Sequence, residues 1–524
     1  MSDAEVWQRY GWKEAPNLAS IDELAKVRRE LADRPKPDVT ILARYLIPRL
    51  LDIDASSFNN ISDKDRGIAE DVVRTILNAC IDATPVESLL VEYQAPILAT
   101  MLKAPTPLKV FLLDQIGSKI ATNSTVAVEL LTKEALAVSI AMTRQLVDPA
   151  TSQMARHALV KLCSATPDAP TKLLGHSAVI TELKTQLAAE NSEARFRIHD
   201  LTAELVKISP TALTACVESS LLTALISELR RDGDILGQLN ALELLAQMSA
   251  DSSATAIRLH EMGIIPELHD LLATLTDRPD SGFLFPAVIR FFGYLARSRP
   301  VESLSAYPKF MQSVFDLVIN FDRLDVAQRL LGFDTLAIIA TTVDGKKQLS
   351  NLTGDYTNAM ELSMKAFGKA ICSGPIELRS RHLDALSSMV TLPLAQQTPE
   401  LLELTKKWFQ WLSDSPMEQI ATYFKQPMLE LRLAAGEIIK ALAEQAWGQK
   451  MLAQCPGFLE HLLNRGTESE VNGRRTKYEI VKTLVDSTTI GDAFEAADVM
   501  KLRAYEKQGA FFVPIETQVA MEND

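Results

Sequence analysis

Cysteine is scarce and scattered. Five occur, Cys80, Cys163, Cys216, Cys372 and Cys455, and no CxxC or CxxxH is among them. That spacing argues against a disulfide framework or a zinc site. Most sit among apolar neighbours, as in LNACID and LVKLCSA, where a thiol serves as a small buried hydrophobe. This fits a reducing compartment. Long basic blocks are missing as well, and the net charge is −13, so nucleic acid is not an expected partner. No apolar run approaches the ~20 residues of a membrane helix. The opening MSDAEVWQRYGWKEAPN has no basic region followed by an apolar core, as a signal peptide would. The expectation is a soluble, intracellular protein of the cytoplasm, with the nucleus as a second compartment.

Catalytic patterns are absent too. There is no GxGxxG, GxxxxGK[ST], HExxH or GxSxG in the sequence. The seven histidines, His157, His176, His199, His260, His269, His382 and His461, form no cluster with metal-ligand spacing. Asp232 and Asp234 flank a glycine in RRDGDIL, where Asp234 reads as a helix cap. DGKK, Asp344 to Lys347, reads as a turn. Cys455 has no flanking base to activate it. Trp408, Phe409 and Trp411 in LTKKWFQWL read as core plus one exposed face, with an aromatic binding spot as the other reading. The expectation is a protein with no enzymatic activity, cofactor or metal.

What the chain has in abundance is helical periodicity. In DILGQLNALELLAQMSA, Ile235, Leu239, Leu242 and Ala246 share one face. Val/Ile alternation with hairpin turns is nearly absent. Pro and Gly recur instead at short intervals, in DATP, KAPTP, SATPDAP, KISP, SRP and CSGP, as helix stops and starts. The helices also repeat. SAVITELKTQL, SLLTALISEL, GIIPELHDLL and PKFMQSVFDL share an apolar anchor at Ile180, Leu222, Ile265 and Phe310, with spacings of 42, 43 and 45. That lies within the ~40–47 residues of HEAT and armadillo repeats. The predicted fold is all-α, a HEAT/armadillo-like α-solenoid, a right-handed superhelix of about ten to eleven repeats. Residues 1–35 are expected to form a helical cap, with IDELAKVRRELADR as its helix. Residues 36–510 are expected to form one repeat array, and 511–524 a polar, partly disordered tail.

A second repeating helix lies between those segments. LDQIGSK, RHALVKL, IHDLTAE, LNALELL, IRFFGYL, FDTLAII, LDALSSM and YEIVKTL align on an apolar residue followed by a polar one. The polar column reads Asp114, His157, His199, Asn240, Arg290, Asp334, Asp384 and Glu479; LAAGEII puts Ala434 there. In FPAVIRFFGYLARSRP, Val288, Ile289, Phe292, Leu295 and Ala296 form the apolar stripe, while Arg290, Tyr294 and Arg297 recur on the other side. Stacked repeats bury the first stripe and leave the second lining a surface. Asn240, Arg290, Tyr294, Asp334, Arg381 and Asp384 are therefore the candidate partner-binding residues. An ordinary solvated face is the competing reading of any one of them. Peptide-binding armadillo proteins carry a Trp and Asn ladder on this helix. Here the asparagine-equivalent column reads Ser118, Lys161, Ala203, Leu244, Tyr294, Ile338, Ser388, Ile438 and Thr483. A generic extended-peptide groove is disfavoured, and mixed charge suits a specific folded partner.

Longer strings carry a resemblance. FPAVIRFFGYLA, AYPKFMQSVFDLV, FDTLAIIATTVDGKKQL, PIELRSRHLDALSSMVTLPLAQQTPELLELTKKWF, AWGQKMLAQCPGFLEHLLNR, KYEIVKTL and KLRAYEKQGAFFVPIE together resemble the 26S proteasome non-ATPase regulatory subunit 5 family, most densely over about residues 280–515. The resemblance implies a non-enzymatic assembly chaperone for the base of the proteasome regulatory particle. It would bind C-terminal domains of base ATPase subunits and other base subunits, be absent from the mature particle, need no cofactor, and be monomeric when free. An armadillo-type adaptor in transport or signalling, or a helical-repeat enzyme acting on a partner, are the alternatives that the residues leave open.

Overall fold

A computed structural model describes residues 3–512, apart from 19, 54–61, 86–88, 90–91, 133–134, 232, 276–280 and 354–355. The tail string ETQVAMEND lies outside the described residues. Among them every regular element is a helix. The chain divides into two compact units, Met1–Met248 and Ser249–Asp524.

The first unit opens with helices Asp3–Arg9 and Ile21–Ala32, the second of them formed by the string IDELAKVRRELA. Trp7 meets Trp12 edge-on, ring centres 5.5 Å apart, and Arg34 donates to the Tyr10 carbonyl at 2.7 Å. Further along, the long helices that carry the repeated apolar-polar pattern are α1 (Thr106–Thr122), α2 (Ser152–Ser164), α3 (Ser192–Ile208) and α4 (Ile235–Asp251). α1 packs on α2 and α2 on α3. Asp234 accepts from the Gly237 N–H at 2.8 Å, so it caps α4 as its sequence implied.

The second unit repeats a three-helix motif. Helices Ser253–Glu261 and Ile264–Thr274 precede α5 (Ser281–Ser298). Pro300–Ala306 and Pro308–Ile319 precede α6 (Val326–Ala340). Val343–Ser350 and Ala359–Ala370 precede α7 (Ile376–Val390). Pro399–Gln410 and Pro416–Phe424 precede α8 (Leu429–Ala443). Ala446–Gln454 and Phe458–Leu463 precede α9 (Val471–Asp486), and Ala496–Gln508 closes the unit. Prolines sit in the first turn of many of these helices, where the missing N–H has no partner to lose. Asp325, Thr342 and Thr398 cap three of them through side-chain oxygens. The DGKK segment is thus not a turn. Thr342 starts a helix through it, and Gly345 is required there because a Cβ would collide with the Ile339 carbonyl.

The third helices pack in sequence, α5 on α6, α6 on α7, α7 on α8 and α8 on α9. Val288, Ile289, Phe292, Leu295 and Ala296 are buried as the periodicity predicts. Phe292 stacks on Phe310 at 5.4 Å, and Phe333 lies 4.4 Å from both Phe367 and His382. Burying such a side chain contributes roughly 1.5–3 kcal/mol. Glycine lets neighbouring third helices close up: a Cβ on Gly293 would come within 2.9 Å of Thr335, and one on Gly436 would overlap Thr476.

A polar side chain at the fourth residue of several third helices ties that helix to the loop before it. Arg195 donates to the Ala189 and Glu190 carbonyls. Arg329 donates to those of Leu324 and Asp322, and Arg432 to those of Gln426 and Pro427. Arg474 reaches the Glu468 carbonyl, and Gln238 that of Arg231. The loop carbonyls need such donors once the adjoining helix ends are packed. α5 departs from the pattern, with buried Leu284 at its fourth place.

Candidate functional site

The repeat periodicity puts a polar stripe on the solvent side of the third helices. Arg290 and Arg297 are exposed on α5 with half-buried Tyr294 between them. Asp334 is half-buried on α6, and Arg381 and Asp384 are exposed on α7. Successive third helices lie about 8–10 Å apart, so the stripe continues from helix to helix. Asn240 is exposed on α4, in the first unit.

The charges are not evenly free. Arg381 donates to Asp334 at 2.6 Å, an ion pair between α7 and α6. Asp384 has Asp334 and Glu437 as like-charged neighbours. Partial burial, opposed by Arg381 and aided by those two carboxylates, pushes its carboxyl above the usual range. On α8, Lys440 reaches Glu479 of α9 at 2.7 Å and Glu437 of its own helix at 3.9 Å. The hydrogen bond to Glu479 raises the lysine's pKa despite partial burial. Arg290 and Arg297 have no ion-pair partner among the described residues. The stripe therefore changes along its length, from unpaired cations on α5 to paired charges on α7, α8 and α9.

Two members of the polar column do not line the surface. His199 is buried, with its Nε2 3.6 Å from Glu228. Burial pulls its pKa down to about 4, against the pull of Glu228. The same pocket holds Arg195, paired with Glu228 at 3.1 Å and Asp234 at 3.3 Å. On α3 the partly exposed residue is instead Asp200, which pairs with Arg156 of α2 at 3.1 Å. The exposed position on α3 is thus one residue later than in the column, with His199 buried beside the Arg195–Glu228 pair. On α8, Ala434 is buried and Glu437 is exposed. Sequence reading missed Glu437 and Lys440, although their positions three and six residues beyond the column, one and nearly two helical turns, were available as a signal. Trp408 and Phe409 are core, and Trp411 is half-exposed with the Lys407 ammonium 5.0 Å above its ring.

Two cavities elsewhere in the second unit are of mixed charge. One of about 330 Å³ lies between helices Val343–Ser350 and Pro399–Gln410, with Lys347, Glu400, Glu403 and Lys407 on its wall. Another of about 190 Å³ is lined by His260, Arg299, Glu302 and Tyr307. Among the described residues no group of three or more His, Cys, Asp or Glu side chains is placed to hold a metal ion. Cys80, Cys163 and Cys216 are buried, and burial raises each thiol's pKa. The arrangement is suited to holding another macromolecule: an exposed stripe of Arg, Tyr and Asp carried on a packed scaffold.

Known proteins place this chain. The family described as "Proteasome non-ATPase 26S subunit" matches residues 13–524. A human protein named 26S proteasome non-ATPase regulatory subunit 5 is 30% identical over 416 residues, which cover 79% of this chain and 80% of that one. The Bos taurus protein of the same name is 31% identical over 412 residues, 78% of this chain and 79% of its own. The Drosophila melanogaster one is 25% identical over 338 residues, 64% of each. Among solved structures, yeast importin-beta (Kap95p) matches 94% of this chain and 62% of its own, with a TM-score of 0.54 at 13% identity. A Kap95:Nup1 complex gives 0.51 at 14%, covering 94% of this chain and 66% of that one. At that identity the likeness is one of fold alone: a helical-repeat architecture.

Proposed function

Because the chain belongs to the proteasome non-ATPase 26S subunit family, we propose that it is an assembly chaperone for the base of the 26S regulatory particle. In this reading it binds the C-terminal domains of base ATPase subunits, along with other base subunits, and leaves before the mature particle is complete. It works as a monomer in the cytoplasm and nucleus, without catalysis or cofactor. The observation that carries the reading is the stripe of the second unit, where Arg290 and Tyr294 on α5, Asp334 on α6, and Arg381 and Asp384 on α7 follow one another across successive third helices. Steps of about 8–10 Å between packed helices give such a face the width of a small folded domain. Mixed charge favours one partner over many, because each mispaired charge costs binding energy.

The reading is tested by capture from cell extract with the tagged full chain. Recovery of base ATPase subunits without the 20S core particle supports a chaperone that acts before the particle is complete. Recovery of intact 26S particles would make the protein a resident subunit, and recovery of transport cargo would make it an adaptor.

A further inference from the structure

The third helices of the second unit do not present one uniform surface, and the α5–α6 pair stands apart. On α5, Phe283, Ala287, Arg290, Tyr294 and Arg297 fall at spacings of four and three residues, so they form one straight stripe along the helix. Phe283 is 63% exposed. Arg290 and Arg297 are exposed, and Ala287 and Tyr294 are half-exposed. Neither guanidinium has an ion-pair partner among the described residues. On α6, packed directly against α5, Leu330 and Ile338 are half-exposed one helical turn to either side of Asp334. Asp334 itself is turned to Arg381 of α7. The result is a seam with an aliphatic and aromatic floor, Leu330, Ile338 and Tyr294, and a basic wall, Arg290 and Arg297.

We infer that this seam takes an acidic amphipathic α-helix of a partner, laid along α5. The inference rests on the scaffold reading above and names the chemistry of the segment gripped. Charge complementarity fixes the sign: two unpaired guanidiniums seven residues apart, about 10.5 Å along the axis, match carboxylates at the same heptad spacing on a facing helix. The floor fixes the rest of the face, because Leu330, Ile338 and Tyr294 offer contact only to apolar side chains at helical spacing. The occupant is a helix and not an extended strand for a backbone reason. A strand's N–H and C=O groups need donors and acceptors from the groove, and the α6 side of the floor offers the aliphatic side chains Leu330 and Ile338, which supply none. A helix satisfies its own backbone. Arg and Tyr are also the residue types that most often dominate binding energy.

The test uses the full chain and three labelled peptides of about five helical turns, read by fluorescence anisotropy. The first has Leu at its a and d positions and Glu at e and g. The second replaces each Glu by Lys. The third keeps the Glu composition with a central proline that breaks the helix. The Glu peptide is expected to bind, and the Lys and proline peptides to bind at least about tenfold more weakly. The double variant Arg290→Glu with Arg297→Glu should lose the Glu peptide by about tenfold or more, with a melting curve unchanged because both sites are exposed. The Tyr294→Ala variant should weaken it with no change in salt dependence, since it removes contact area and no charge. The inference is overturned if the wild-type chain does not bind the Glu peptide, if the Lys or proline peptide binds as well, or if the charge reversal leaves the affinity within about twofold. Capture of base ATPase subunits from extract is scored separately. Capture that survives the reversal removes this seam and leaves the chaperone reading standing. Failure of the wild type to capture them removes that reading whatever the peptides do.

Discussion

The exposed faces of α5–α6 and of α7–α9 are built from the same repeat, yet they spend their charges differently. On α7, α8 and α9 the charges reach from helix to helix: Arg381 to Asp334, and Lys440 to Glu479. On α5, Arg290 and Arg297 reach nothing among the described residues, and the loop tie at the fourth place is replaced by Leu284. A charge satisfied within the chain serves the fold. A charge left unsatisfied at the surface is available to something else. The same stripe of the same repeat can therefore be divided between stability and recognition without any change of backbone.

Substitutions break or sharpen this comparison, and the largest effect lies beneath both faces. Phe292→Ala should cost about 3–5 kcal/mol, because its ring fills a core shared with Phe310 and Tyr307. In a repeat protein the melting midpoint moves less than in a compact domain, so denaturant unfolding is the measurement. An unchanged unfolding curve would place the apolar stripe on the wrong side of α5. Next, Gly436→Ala should cost about 1–3 kcal/mol through overpacking against Thr476, more than the ~0.5–1 kcal/mol that alanine gains over glycine in a helix. Gly293→Ala meets only the end of Thr335 and should cost less. Equal losses would mean the α5–α6 and α8–α9 contacts are equally tight.

Acid separates the two stretches in another way. α5 and α6 carry no histidine, whereas His382 is buried beneath the stripe of α7, with its pKa pulled down to about 4 by burial first and by Arg329 and Arg381 after it. His199 behaves alike in the first unit. The unfolded chain protonates such a group near pH 6.5 and the folded chain resists until near 4, so stability is full above that window and falls as pH drops through it. At pH 5.5 the loss should be about 1 kcal/mol per histidine. Urea midpoints at pH 7 and 5.5 read it, and His382→Gln should reduce the drop; an unreduced drop would assign it to other groups. The smallest effects fall on the stripe itself. Lys440→Ala should cost about 0.2–1 kcal/mol and Arg290→Ala less than about 0.5. If thermal unfolding shows Arg290→Ala to be the costlier, α5 is held by its cations and the comparison fails.

The architecture was readable because repetition multiplies a weak signal. The polar-column alignment found eight of the nine long third helices from α1 to α9, and identified the ninth as the unit that departs. The seam of the stripe was readable where apolar and polar residues keep strict register, as at Arg290, Tyr294 and Asp384. It failed at His199, which is buried beside an ion pair whose two members lie 33 residues apart in sequence. It failed at Ala434, where the register on α8 runs to Glu437. It also gave no sign that Asp334 is taken: Arg381 lies 47 residues on, one full repeat away, and only a pairing of neighbouring repeats brings the two together. With Asp334 held in that pair, reversing its charge would set two cations against each other and cost stability.

The ties made by Arg195, Arg329, Arg432 and Arg474 span only five to seven residues. Contacts so local lose little loop-closure entropy and make for fast folding. Each repeat can thus secure its own loop and third helix as the chain emerges during synthesis, in N-to-C order, before the next repeat exists to be packed against it. The loop of such a repeat would then be held early, while burial of its apolar stripe waits for the next repeat to stack on it.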